Sequence, residues 1–303
     1  MTLPSPYSPF EGESRRRRQG VSVLAIVVFL LAPSLQAQRY SGFQKTVEAI
    51  ALSTDAAGRR DAIVGRLKSD GVEHRLEEFT ARQGTGVNIV ASVRGSRRDG
   101  GAKIILSGAH YDRAARGQGA VDNGASCAAL LELLAELQAK PLVNYDVTVA
   151  FFDLEERGLL GSRAHFDALS ERGGLPSYAA NLDIFAYGET LYATASKPDG
   201  PLAAALQTAA GEAGMPLRLH AEYPGSDHRS MIAAGVETLG VTLIDGNEID
   251  GIVSLLQKKP GAEAPPILKL IHTDADVLDR VRAEDVQKAI PVLVRLLRLL
   301  DRL

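Results

Sequence analysis

Two short apolar runs constrain this chain more than any other feature. AKIILSGAH (102–110) and YDVTVAFFDLEE (145–156) carry few polar residues before their last positions, and the apolar-rich CAALLELLAELQ (127–138) lies between them. A brief continuous apolar run predicts a strand buried on both faces rather than one, because a half-buried strand alternates. The middle segment predicts a helix. The same alternation continues along the chain. Strands are expected at 72–79, 87–95, 179–188, 191–196, 236–245 and 266–273. Helical spacing covers 41–70, ended by the turn signal Asp70-Gly71, and further helices are expected at 162–172, 201–214 and 283–303. Pro291 should kink the last of these. RRDGG (97–101) reads as a turn, and 247–266 as an excursion with one short helix and a Pro/Gly-rich loop. Strands alternating with helices predict an α/β fold: a central mixed, mostly parallel sheet with helices on both faces. There is no internal repeat and no clear domain boundary, so 38–303 is expected to form a single catalytic domain.

The first 37 residues have a different character. SRRRRQG (14–20) is basic, VSVLAIVVFLLA (21–32) is apolar, and PSLQAQ (33–38) offers Ala37 as a small residue before a cleavage point. That order is the order of a secretory signal, which predicts an exported, periplasmic or extracellular protein. Twelve apolar residues are short for a span, which needs about 20. An uncleaved anchor through 21–32 is the alternative, and no integral span is expected in the mature chain.

Composition narrows the chemistry. A net charge of −3 gives no sign of a nucleic-acid partner. The only cysteine, Cys127, excludes an intrachain disulfide framework and thiolate-cluster metal sites. Any metal must therefore sit on His, Asp and Glu, a set that suits zinc, manganese or cobalt.

The polar residues fall at predicted strand ends or in the loop before a helix: His110 and Asp112, Asp122, Glu155 and Glu156, Asp183, and His272. In open α/β sheets ligands bind outside the carboxyl ends of the strands. Taken singly, each of these has a plain reading. His110 with Asp112 is a surface ion pair, Glu155-Glu156 a solvated strand end, Asp122-Asn123 a turn, Asp183 a turn or cap, and His272-Thr273-Asp274 a helix start. Taken together, so many carboxylates at one rim would repel one another without a cation. A metal pair about 3.5–4 Å apart, sharing a carboxylate and a water, resolves the repulsion and supports hydrolysis. Asp112, two residues from His110, faces the same side and can orient a metal-bound imidazole.

SGAHYD (107–112), GAVDNGAS (119–126), FFDLEERGLLGS (151–162), NLDIF (181–185), GSDHRSM (225–231) and IHTDADVLDRV (271–281) together resemble the secreted co-catalytic dizinc aminopeptidases. Their relatives include glutamate carboxypeptidases and glutaminyl cyclases. The resemblance runs from about residue 45 to the C-terminus. It implies a zinc-exopeptidase fold holding two zinc ions, with manganese or cobalt as substitutes. It implies that His110 and Asp183 ligate one metal, that Glu156 and His272 ligate the other, and that Asp122 bridges both. Glu155 would be the general base acting on a peptide substrate, and Asp112 would support His110. The Asp122-Asn123 peptide matches a position that is often cis in the family. Asp227 and His228 match a Ser-Asp-His motif near the substrate pocket. Two departures bear on substrate scope: Ile271 stands where many relatives have Tyr, and Ile184-Phe185 follow the NLD motif where Met and a small residue are usual.

Two other functions stay open at this point. One is a glutaminyl-cyclase-like transferase using one zinc, against which the lack of any Trp argues. The other is an inactive relative serving as a binding module, against which the full set of five ligand positions and Glu155 argues.

Overall fold

The computed structural model describes residues 42–97 and 103–303. The signal reading of 1–37, and most of the expected turn at RRDGG (97–101), lie outside the described residues. Two helices come first, α1 over 42–51 and α2 (Ala56–Ser69), the latter capped at its start by the Asp55 carboxylate and at its end by Asp70. Strands β1 (Glu73–Ala81), β2 (Gly84–Val93) and β3 (Lys103–His110) follow. A π-type turn (Ala120–Gly124) then leads into α3 (Ala125–Ala139), and β4 (Tyr145–Phe152) and α4 (Leu160–Glu171) come after it. The second half runs β5 (Tyr178–Tyr187), β6 (Thr190–Ala195), α5 (Pro201–Ala213), β7 (Leu217–Leu219), α6 (His228–Ala233) and β8 (Glu237–Ile244). It ends with α7 (Ile249–Leu256), α8 (Pro266–Leu270) and α9 (Ala283–Leu300).

The eight strands form one mixed sheet in the order β1-β2-β4-β3-β5-β8-β6-β7. The central neighbours β4, β3, β5 and β8 run parallel, and antiparallel pairing begins at β2 on one side and β6 on the other. The apolar runs explain why the middle is parallel and sandwiched. Val147, Val149 and Phe151 of β4 pack into the core under α1, α2, α3, α5 and α9. Their neighbours Ala150 and Phe152 enter a second cluster with Phe166 and Leu169 of α4 and Met231 of α6. Successive strand residues point to opposite faces, so a strand covered on both sides has no polar position to spare.

One expected strand is not formed. Residues 266–273 make the short helix α8 followed by a turn. Pro265 and Pro266 account for this, since adjacent prolines remove two ladder donors while Pro at a helix's first position costs nothing. The Glu248 carboxylate accepts the Ile267 N–H at 2.7 Å and anchors the helix. The strand predicted over 145–156 also stops early, at Phe152, so the two glutamates lie in a turn. The three-residue β7 is too short to leave a periodic signal.

Away from the rim, α4 is tied to the edge strand β1 by a 2.6 Å contact between the buried His165 Nδ1 and the Glu77 carboxylate. Burial alone would raise the Glu77 pKa, but the His165 and Arg75 contacts outweigh it and bring the value down from 4.5 to about 2. The folded pKa lies below the unfolded one, so this stabilisation is present above about pH 4.5 and disappears as pH falls towards 2. Glu77→Gln should therefore flatten the loss of stability between pH 5 and 3, read as unfolding midpoints in urea at each pH. An unchanged acid limb would remove Glu77 from the explanation.

Candidate metal centre

The rim is assembled from five stretches of chain. β3 ends at His110, which is almost wholly buried. Beyond β4 the chain reverses at Leu154, which takes the left-handed φ of 57°. Asp112 then receives the backbone N–H of Glu155 at 3.1 Å and of Glu156 at 3.2 Å, one on each carboxylate oxygen. Asp112 thus shapes the turn that lets two adjacent glutamates serve different places. Of the two glycines after them, Gly158 supplies a positive φ of 104°, whereas Gly161 is needed for closeness: a Cβ there would lie 2.3 Å from the Asp153 carbonyl.

Asp122 occupies the π-type turn before α3. The Asp122-Asn123 peptide is cis. The Asp122 backbone N–H and that of Val121 donate to the buried Asp276 carboxylate at 3.2 and 2.8 Å. Asn123, fully buried, spans to β5: its Nδ2 donates to the Leu182 carbonyl at 3.0 Å and its Oδ1 accepts from Ile184 N–H at 3.1 Å. Those two partners flank Asp183, so one amide fixes Asp183 relative to Asp122. The β5–β8 register shifts at this point, and Ile184 takes a φ of 51°, a rare conformation for a β-branched residue. Asp183 therefore sits at an irregularity inside β5, not at its end. His272 follows α8 with φ 60° and keeps half its side chain in solvent.

The predicted ligands converge. His110 Nε2 lies 3.2 Å from Asp122 Oδ1 and 3.6 Å from Asp183 Oδ1. His272 Nε2 lies 3.1 Å from Asp122 Oδ2 and 3.3 Å from Glu156 Oε2. The two oxygens of Asp122 thus face two different imidazoles, and each imidazole faces one further carboxylate. Glu155 joins this group: its carboxylate, His110 and Asp183 offer donor atoms within 4.8 Å of one another. On the far side of His110, Nδ1 is 3.3 Å from Asp112 Oδ1.

The electrostatics match a site built for cations. Buried oxygens of Asp183 (Oδ1) and Glu156 (Oε1) have no hydrogen-bond partner, which is costly unless something positive meets them. Burial, reinforced by Asp227, Asp183 and Asp122 against the opposing pull of His110, pushes the Glu155 carboxyl up to about 9. His272 rises to about 10 through its contacts with Asp122 and Glu156. Burial disfavours a charged His110, yet Glu155 and the carboxylates of Asp112, Asp122 and Asp183 hold its pKa well above the ordinary value. Imidazoles and carboxylates share protons here where a borderline cation would replace them. The donor set, two imidazoles with four carboxylates and no thiolate, fits zinc.

Asp227 and His228 border the same rim. Asp227 is fully buried, neither of its oxygens meets the geometric requirements of a hydrogen bond, and burial pushes it up to about 7. His228 packs edge-on against Tyr223 at 5.2 Å, and burial draws it down to about 4. Next to Asp183 a small apolar cavity of about 20 Å³ is lined by Ile184, Tyr192, Tyr223, Ile244 and Ile267. Asn123, the clamp, and Asp276, the brace, are not among the residues that the strand-end pattern picks out. Asp276 lies inside IHTDADVLDRV, four residues after His272, and a second acid so close to a ligand was the available signal.

Residues 88–297 match the family model for peptidase family M28. The chain belongs to peptidase family M28. Leupeptin-inactivating enzyme 1 of Streptomyces exfoliatus is 26% identical over 225 residues, covering 73% of this chain and 50% of that relative. The chain thus spans about half the length of this relative. Among solved structures, the zinc aminopeptidase BSAP from Bacillus subtilis superposes with a TM-score of 0.58 at 24% identity, over 71% of this chain and 50% of that one. The glutaminyl cyclase of an Acidobacteriales bacterium superposes with a TM-score of 0.68 at 20% identity, over 87% and 93%. At such identities these M28-like structures speak for the fold. Among the described residues, no helix is long and apolar enough to cross a membrane.

Proposed function

We propose that the chain is an exported, metal-dependent aminopeptidase that carries two zinc ions and removes N-terminal residues from peptides. The observation that supports it most is the division of the Asp122 carboxylate between His110 and His272, each with its own further carboxylate. In this reading His110, Asp183 and Asp122 hold one zinc, and His272, Glu156 and Asp122 hold the other. Residues 1–37 are the export signal and 38–303 the catalytic domain. Bound zinc supplies Lewis acidity and lowers the pKa of water at the rim. Glu155 takes a proton from the attacking water and returns it to the leaving amine. Its carboxyl is largely enclosed, so the proton stays local between the two steps. Asp112 holds the Glu155-Glu156 turn by two backbone N–H groups and flanks His110, keeping base and ligand in fixed relation. Asp227 and His228 contribute on the substrate side, where His228 and Tyr223 form one wall.

The test uses the purified full chain on a panel of aminoacyl anilides and short peptides. We expect cleavage only of substrates with a free N-terminus, loss of activity with a chelator, and recovery on adding zinc. Two bound zincs without hydrolysis of any panel member would refute the aminopeptidase reading. Pyroglutamate formation from an N-terminal glutaminyl peptide, with one zinc per chain, would replace it with the cyclase reading.

A further inference from the structure

Among the described residues, Arg59 is the bulkiest side chain with no exposed surface. It projects from α2, in a region that precedes the 88–297 stretch matched by the family model. Its donors go to main-chain carbonyls: Nε to Tyr111 O, Nη1 to Gln118 O at 2.9 Å and to Ile50 O at 3.4 Å, and Nη2 to Gly119 O at 3.0 Å. No carboxylate pairs with it directly among the described residues. Burying a guanidinium without a direct counterion is expensive, so an apolar residue would serve better if filling space were the need.

The three carbonyls after Ile50 share one location. Tyr111 follows His110, and Gly119 lies three residues before Asp122. The 111–119 connection has no helix or strand of its own. Its length decides how far apart two ligand residues can drift. Arg59 grips both ends at once. The segment after His272 closes on the same connection: Gln118 N–H donates to the Asp276 carbonyl at 2.7 Å, and Gln118 Oε1 accepts from Leu278 N–H at 2.9 Å.

We propose that Arg59 is a positioning residue for the metal rim: its planar fork ties the two ends of the 111–119 connection to α2, and so sets the spacing of His110 and Asp122. This rests on the metallopeptidase reading. A guanidinium suits the task because its donors diverge in one fixed plane, whereas a lysine ammonium is a compact point on a flexible stem.

The test compares wild type, Arg59→Met, Arg59→Lys and, as a control for general destabilisation, Leu137→Ala in the remote part of α3. Zinc affinity is read by competition with a chromogenic chelator, and backbone amide exchange over 111–119 is read without metal. Arg59→Met is expected to weaken the tightest zinc by about 10–100-fold, the range for residues supporting a ligand, and to speed exchange over 111–119. Arg59→Lys should fall between, and Leu137→Ala should leave affinity unchanged. Wild-type affinity and exchange in Arg59→Met would overturn the assignment. If Arg59→Met fails to fold, Arg59→Lys decides alone, and wild-type affinity in that variant overturns it. Wild-type protein that binds no zinc would sink the metallopeptidase reading itself, while the exchange comparison would still report on Arg59.

Discussion

Replacing Glu155 by Gln is expected to keep both zincs and to cut hydrolysis of aminoacyl anilides by about 10²–10⁴-fold, the range ascribed to a positioned general base. The amide matches the carboxylate in shape and cannot take a proton. Elemental mass spectrometry separates this outcome from its rival. Glu155 offers an oxygen within reach of the His110 and Asp183 donors, so loss of one zinc in this variant would make Glu155 a ligand instead of a base. Wild-type turnover would eliminate the proton-transfer role altogether.

The second large effect concerns Asp122. Its two oxygens face different imidazoles, and an amide keeps only one of them as an acceptor. Asp122→Asn should therefore empty the rim, with less than one zinc per chain after reconstitution and hydrolysis reduced to background. Glu156→Gln should do less: its direct contact is with His272 at 3.3 Å, while Asp183 and His110 keep theirs, so one zinc should remain near His110 and Asp183. The two variants must differ in metal count. Equal stoichiometry in both would refute the shared role of Asp122.

Much of this was legible beforehand, and the reasons divide by physics. The buried strands around β3 and β4 declared themselves because a sandwiched strand admits almost no polar residue. The seven residues proposed for ligation and catalysis stood out as a set because so many carboxylates near one rim would repel one another without a cation, and all seven meet there. The details of placement were not. Nothing in YDVTVAFFDLEE says that the strand stops at Phe152 or that Leu154 takes the positive φ. A leucine turns the chain, and Asp112 captures the next two backbone N–H groups. Residues 266–273 looked like a strand by apolar content, while Pro265 and Pro266 at the start dictated a helix. Arg59 and Asn123 left no local trace, since their partners, the Ile50 carbonyl apart, are backbone groups 52 or more residues away.

The five proposed ligands are spread from His110 to His272, on elements that meet only when the sheet is complete. An unfolded chain cannot gather them, so a metal bound across them would bind the native state alone. By linkage, free zinc at a hundred times its dissociation constant would add about 2.7 kcal/mol to the stability of the fold. A protein of this design would draw part of its resistance to unfolding from the ions of its surroundings, and the same rim proposed to perform chemistry would fasten the two halves of the sheet together.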